Sequence, residues 1–246
     1  MLDPQIVFED TEFLIINKPY GVVVNRAETT KTETIQDWAE KKVCSSEFVV
    51  RSEIDKEFVD RGGVVHRLDK DTSGLLVIAK NPQSFLNLKN QFKERSTFKK
   101  YLALVHGKVE PEMGTINAPI ERSPFNRMHF GVFPGGREAV TDYRVISSLK
   151  LQGGFATKIS NFSMLELTPH TGRTHQIRVH MKYLNHPIVS DPIYGGRKNY
   201  QNDLLFCPRL FLHAAHLEIN HPGTGERLIF DSPLPLDLQT ALDELH

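Results

Sequence analysis

Strand-like runs outnumber helical ones along this chain of 246 residues, and they do not alternate regularly with helices as a doubly wound sheet would require. β-branched or aliphatic runs occupy residues 6–9, 13–17, 75–80, 101–105, 139–146, 164–168, 210–219 and 228–230. Turn signals such as Lys18-Pro19-Tyr20-Gly21 and His221-Pro222-Gly223-Thr224-Gly225 bound them. The strongest helix signal covers 82–95, where Asn81 can cap, Pro82 suits the first position, and Phe85, Leu88 and Phe92 share a face. Residues 34–43, 175–184 and 236–245 give further helical patterns, and 26–34 reads as a polar surface loop. The pattern predicts an α+β fold, with helices packed on a mixed, largely antiparallel sheet. No repeat or Gly/Ser/Pro-rich linker divides the chain, so one domain over 1–246 is expected.

Several classes are excluded. The longest apolar run, 75–79, is far short of the ~20 residues a membrane helix needs. The start, Met1-Leu2-Asp3-Pro4, has neither the basic region nor the apolar core of a secretory signal. Cys44 and Cys207 form no spaced pattern and read as reduced thiols of a cytoplasmic protein. Net charge is zero but unevenly placed: residues 1–60 sum to −6, 61–200 to +11 and 201–246 to −5. A basic middle between acidic flanks suits a phosphate-rich ligand, and scattered solvated lysines and arginines would give the same totals.

The densest polar segment is His66-Arg67-Leu68-Asp69-Lys70-Asp71-Thr72-Ser73-Gly74, set between apolar runs. Polar groups gathered at a strand end are where a rigid scaffold presents reactive side chains. A calcium loop fails because its twelfth position would be Lys80, where a bidentate Glu is required. A phosphotransferase with an Asp nucleophile needs further carboxylates for Mg²⁺, and downstream only Asp142 and Asp191 qualify, neither in an acidic pair. Asx-type turn chemistry accounts for residues 71–74 without any catalysis. In Thr171-Gly172-Arg173-Thr174-His175-Gln176-Ile177-Arg178-Val179-His180, the planar guanidinium of Arg173 could grip a carboxylate or phosphate, and His175 and Arg178 share a helix face. A helix-start turn with a surface arginine is the plainer reading of that segment. Lys99, Lys100 and Tyr101 could offer an aromatic ring to a nucleobase and ammonium groups to phosphates, or simply form a half-buried strand. The eleven histidines lack metal-ligand spacing, and no metal is expected.

Together these segments resemble the RluA-type family of RNA pseudouridine synthases. Residues 66–80 resemble its catalytic motif, 13–21 its first motif, 100–107 its tyrosine motif and 171–180 its arginine motif. Asp191-Pro192-Ile193-Tyr194-Gly195, Phe211-Leu212-His213-Ala214 and Ser232-Pro233-Leu234-Pro235 follow in the same order, so the likeness runs from about 5 to about 237.

The resemblance implies a pseudouridine synthase fold, with a sheet in two halves, flanking helices and a central RNA-binding cleft. It implies a cofactor-free isomerase that breaks a uridine's N1–C1′ bond, turns the base and rejoins it through C5. Asp69 would be the essential carboxylate, Arg173 the cation that favours its charged form, and Tyr101 the ring stacked on the target base. Arg67 would fill the gap left by an extruded base, and Lys99, Lys100, His175 and Arg178 would contact RNA. Structured RNA, ribosomal or transfer, is the expected partner, with ribosomal RNA favoured; a non-catalytic RNA-binding module is the alternative of another class. A monomer with no obligate protein partner is expected. The N-terminal RNA-binding module carried by many relatives is not seen, and Asn25-Arg26 stands where relatives often have His-Pro.

Overall fold

The computed structural model describes residues 2–27, 30–43, 50–126, 129–151 and 160–246. In chain order the elements are β1 (Gln5–Glu9), β2 (Phe13–Lys18), α1 (Ile35–Val43), α2 (Glu53–Arg61), β3 (Ser73–Ala79) and α3 (Pro82–Lys93). Next come β4 (Phe98–His106), β5 (Met113–Asn117), β6 (Ile120–Arg122), β7 (Phe130–Val132), β8 (Val140–Leu151) and β9 (Ser160–Pro169). The chain ends with α4 (Gln176–Tyr183), α5 (Arg197–Asp203), β10 (Leu212–Asn220), β11 (Arg227–Asp231) and α6 (Leu236–Asp243). Two compact units result: Met1–Phe98 with His216–Ser232, and Lys99–Ala215 with Pro233–His246.

In the first unit β2 lies antiparallel between β1 and β3, in a register that sets Phe13 against Ala79 and Lys18 against Gly74. Every residue of β3 is buried, which is why this stretch reads as a continuous apolar run rather than an alternating one. Phe13, Ile15, Phe58, Val77, Phe85, Leu217 and Phe230 form its core. Helix α3 begins as the sequence predicts: the Asn81 side chain accepts from the Ser84 N–H at 2.9 Å, and Pro82 occupies the first turn. Strand β11 pairs antiparallel with the His216–Asn220 part of β10.

In the second unit β9 lies antiparallel between β4 and β8, and β5 pairs with β8. Leu104, Val105, Leu165, Leu167, Met181, Ile188, Phe211 and Leu238 are buried together beneath this sheet. Strands β6 and β7 form a separate antiparallel ribbon.

The predicted α+β class is therefore observed, and each strand-like run of the sequence lies in or overlaps a strand. The patterns at 34–43, 82–95, 175–184 and 236–245 correspond to α1, α3, α4 and α6. Helices α2 and α5 and the short strands β5, β6 and β7 add to that prediction. Helix α2 has clear ends: the Ser52 hydroxyl accepts from the Asp55 N–H at 3.1 Å, and Gly62 closes it at φ 56°. Cys44 and residues 28–29 of the predicted polar loop lie outside the described residues.

Candidate active site

The 64–74 segment of the first unit is tied to the sheet at both ends. Gly63 sits at φ 73°, and a Cβ there would collide with the Ala79 carbonyl oxygen, so only glycine fits. Its own carbonyl accepts from the Ala79 N–H at 2.9 Å, and Val64 bridges to Ile78. His66 lies flat on Phe92, with ring centres 4.1 Å apart and 17° between planes, and its Nε2 accepts from the Val77 N–H at 3.0 Å. That bond requires Nε2 to be unprotonated.

Asp69 is the first residue of a tight turn that closes where the Thr72 N–H meets the Asp69 carbonyl at 3.1 Å. The next carbonyl, that of Lys70, accepts from the Gly21 N–H and from the Lys18 ammonium, each at 3.0 Å. Lys18 is wholly buried; its Nζ also donates to the Pro19 and Val22 carbonyls, both at 2.8 Å. A buried ammonium without partners would be strongly unfavourable, and here three carbonyl dipoles replace its hydration. The consequence is mechanical: the 18–22 turn and the Asp69 turn are joined through the Lys18 side chain and the Gly21 N–H. Asp69 itself is half-buried and Arg67 exposed.

In the second unit Tyr101 stands half-buried on β4, opposite Leu167 of β9. Lys100 contacts the Glu166 carboxylate at 3.2 Å, and the other oxygen of Glu166 takes Arg144 at 3.0 Å. Lys99 keeps part of its surface exposed, yet desolvation by its surroundings pushes its ammonium pKa down.

The 171–180 segment is organised around Gln176. Its Oε1 accepts from the Thr171 hydroxyl at 2.7 Å and the Arg173 N–H at 3.0 Å; its Nε2 donates to the Val140 carbonyl and the Thr141 hydroxyl, both at 3.0 Å. Arg173 is thereby fixed at the mouth of the turn, and its Nε donates to the Glu138 carbonyl at 2.9 Å. His175 precedes α4 in the left-handed region, at φ 56°, with Nδ1 2.9 Å from the Tyr194 hydroxyl oxygen. That oxygen also accepts from the Phe130 N–H at 3.0 Å.

Arg178 departs from the expectation that it contacts RNA. It is only 2% exposed, and its Nε and Nη2 each lie 2.8 Å from an oxygen of the fully buried Asp191. Asp191 Oδ1 further accepts from the N–H groups of Ile193 and Tyr194. The guanidinium is an internal brace for the 191–195 turn, out of reach of a ligand at the surface. His180 is likewise internal, between the Thr141 hydroxyl and the Ala118 carbonyl, and burial pushes its pKa down.

Sequence reasoning singled out Asp69, Tyr101 and Arg173 but gave no role to Lys18 or Gln176. Lys18 had a visible signal: a lone lysine ending an apolar strand just before Pro19 and Gly21. Gln176 had none, since its partners are mostly backbone groups and hydroxyls. Among the described residues no helix is long and apolar enough to cross a membrane.

Residues 12–183 match the family described as RNA pseudouridylate synthase. The chain is 47% identical over 185 residues to an uncharacterised RNA pseudouridine synthase of Chloroflexus aurantiacus, covering 75% of this chain and 54% of that protein. It is 40% identical over 241 residues to the ribosomal large subunit pseudouridine synthase D of Zymomonas mobilis, covering 96% of this chain and 70% of the other. The chain thus spans about half the length of the first relative and over two thirds of the second. Among solved structures, human RNA pseudouridylate synthase domain containing 1 is similar at TM-score 0.70 and 28% identity, covering 97% of this chain and 87% of that one.

Proposed function

The chain belongs to the RNA pseudouridylate synthase family, and from that premise we propose that it converts uridine to pseudouridine in RNA, with Asp69 as the essential carboxylate. The observation that carries the reading is the Asp69 turn: a half-buried carboxylate on a turn whose backbone is held by the buried Lys18 ammonium. A rigid turn holds a reacting group in one orientation, and orientation is a large part of what an active site contributes to rate.

The proposed reaction breaks the N1–C1′ bond, rotates the freed base and joins C5 to C1′, with the C5 proton lost to solvent. Asp69 attacks the uridine, or takes a proton from its sugar, to begin this sequence. Tyr101 stacks on the target base and assists removal of the C5 proton. Arg173 supplies positive charge to the carboxylate, with its Nε anchored on the Glu138 carbonyl. Arg67, exposed and two residues before Asp69, fills the space of the extruded uridine, whose unstacking costs about a few kcal/mol. Lys99, Lys100 and His175 meet the RNA around it. In this reading residues 1–246 act as one catalytic domain.

Ribosomal RNA is the proposed substrate, supported by the 40% identity to the Zymomonas mobilis large-subunit enzyme. The test uses bacterial RNA fractions carrying tritium at uridine C5, incubated with the protein in excess EDTA. Tritium entering water from the ribosomal fraction is the expected result. Release from transfer RNA alone would replace the substrate and keep the chemistry. Tight, salt-dependent binding without release would make the chain an RNA-binding module instead.

A further inference from the structure

Thr72 carries a buried hydroxyl that no described residue pairs. Its side chain is 2% exposed, and Oγ1 has no hydrogen-bond partner among the described residues. Buried hydroxyls are nearly always paired, and an unpaired one is unfavourable enough to need a reason. Valine would fill the same volume without that penalty. Nor does Thr72 serve the turn through its side chain: its N–H already closes the turn on the Asp69 carbonyl at 3.1 Å.

The position of this hydroxyl suggests what it serves. In a tight turn the first and fourth Cα atoms lie within about 7 Å, so the short side chains of Asp69 and Thr72 can meet. The rest of the turn is restrained through its backbone, the Lys70 carbonyl accepting from the Lys18 ammonium and the Gly21 N–H. Hydroxyl and carboxylate therefore move only through their own side-chain torsions. An O–H can rotate to follow a carboxylate whose charge disperses as it reacts and returns as it is released.

We infer that Thr72 is a positioning residue for Asp69, its hydroxyl donating to the Asp69 carboxylate during the reaction. The inference rests on the pseudouridine synthase reading of Asp69. It separates two properties that a structural hydroxyl would keep together. Thr72→Val removes only the hydroxyl; Thr72→Ser keeps it and removes a buried methyl.

The experiment measures thermal melting, RNA affinity and single-turnover tritium release for the wild type, Thr72→Val, Thr72→Ser and Asp69→Asn. Thr72→Val is expected to melt at or above the wild-type temperature and bind RNA equally well, while its rate falls about 10- to 100-fold. Thr72→Ser is expected to melt lower and yet turn over within about threefold of wild type. If Thr72→Val releases tritium at the wild-type rate while Asp69→Asn does not, the inference fails and the reading of Asp69 stands. Rates that simply follow melting temperature across the two threonine variants would make the hydroxyl structural and overturn the inference. No release by the wild type would overturn the reading, and the inference with it.

Discussion

The 64–74 loop and the 171–180 segment are the two densest polar stretches of the chain, one in each unit, and they treat their polar groups in opposite ways. In the first, the restraint comes from outside: Lys18, Gly21 and Val77 bond to its backbone and to His66, and Arg67 and Asp69 remain at the surface or half-buried. In the second, the polar side chains are themselves bonded, within the segment from Thr171 to Gln176 and beyond it to Asp191, Thr141 and the Val140 and Ala118 carbonyls. Gln176, Arg178 and His180 are buried and bonded, and only the start of the segment, Gly172 to His175, keeps exposed surface. Equal polar density in a sequence can thus mean a presented group in one place and an internal brace in another. The difference lies in whether the backbone of the segment or its polar side chains take up most of the restraining hydrogen bonds.

Substitutions can sharpen or break this contrast. The largest stability loss is expected for Arg178→Ala, which leaves the fully buried Asp191 carboxylate without its cation. Chemical denaturation should show a loss of about 3–5 kcal/mol. Replacing both partners, as Arg178→Met with Asp191→Leu, should recover part of that loss, because the uncompensated charge is gone. An RNA affinity that falls at unchanged stability in Arg178→Ala would break the contrast.

Next comes Lys18→Met, which removes the ammonium from three carbonyl groups around a buried site, leaving that of Lys70 with the Gly21 N–H alone. A loss of about 2–4 kcal/mol is expected, with turnover reduced even under conditions where the protein stays folded, because the Asp69 turn loses its anchor. Gln176→Leu should be milder, about 1–2 kcal/mol, and should raise KM for RNA more than it lowers kcat, since it loosens the backbone of Arg173.

The smallest expected effect is one of pH. Burial lowers the pKa of His180, so the unfolded chain binds its proton at a higher pH than the folded protein does. Stability is then full above the ordinary value of about 6.5 and declines as pH falls below it toward the lowered folded value. His180→Gln should flatten the melting temperature over that acidic window. His216 has the opposite sign. Burial lowers its pKa, but the Asp231 and Glu218 carboxylates outweigh that and raise it, so its contribution is present below about 6.5 and fades as pH rises through the raised value. An acidic limb unchanged by His180→Gln would remove His180 from the internal brace.

Much of this arrangement was legible in the residues, and the limits have physical causes. Long buried strands announce themselves because both faces need apolar side chains, as in β3. The strands β5 and β6 are short and largely exposed, and the half-buried β7 is only three residues long, so their sequences carry too little pattern to read. Helix α2 is short and largely charged, and besides its caps, Ser52 and Gly62, it offers only Ile54, Phe58 and Val59 as apolar positions. Asp69 stood out because its motif is dense and ordered relative to others along the chain. Lys18 could not be assigned a role because its partners are backbone carbonyls, which every residue carries. Arg178 was misplaced because helical spacing puts it near His175 while its partner, Asp191, is thirteen residues away in the chain.

The most direct measurement pairs tritium release from C5-labelled ribosomal RNA with thermal melting, for the wild type and Asp69→Asn. The expected outcome is release by the wild type, none detectable from Asp69→Asn, and melting temperatures within about 3 °C of each other. Wild-type release from Asp69→Asn, or a loss of release that occurs only because the variant no longer folds, would contradict the assignment of the chemistry to the Asp69 turn.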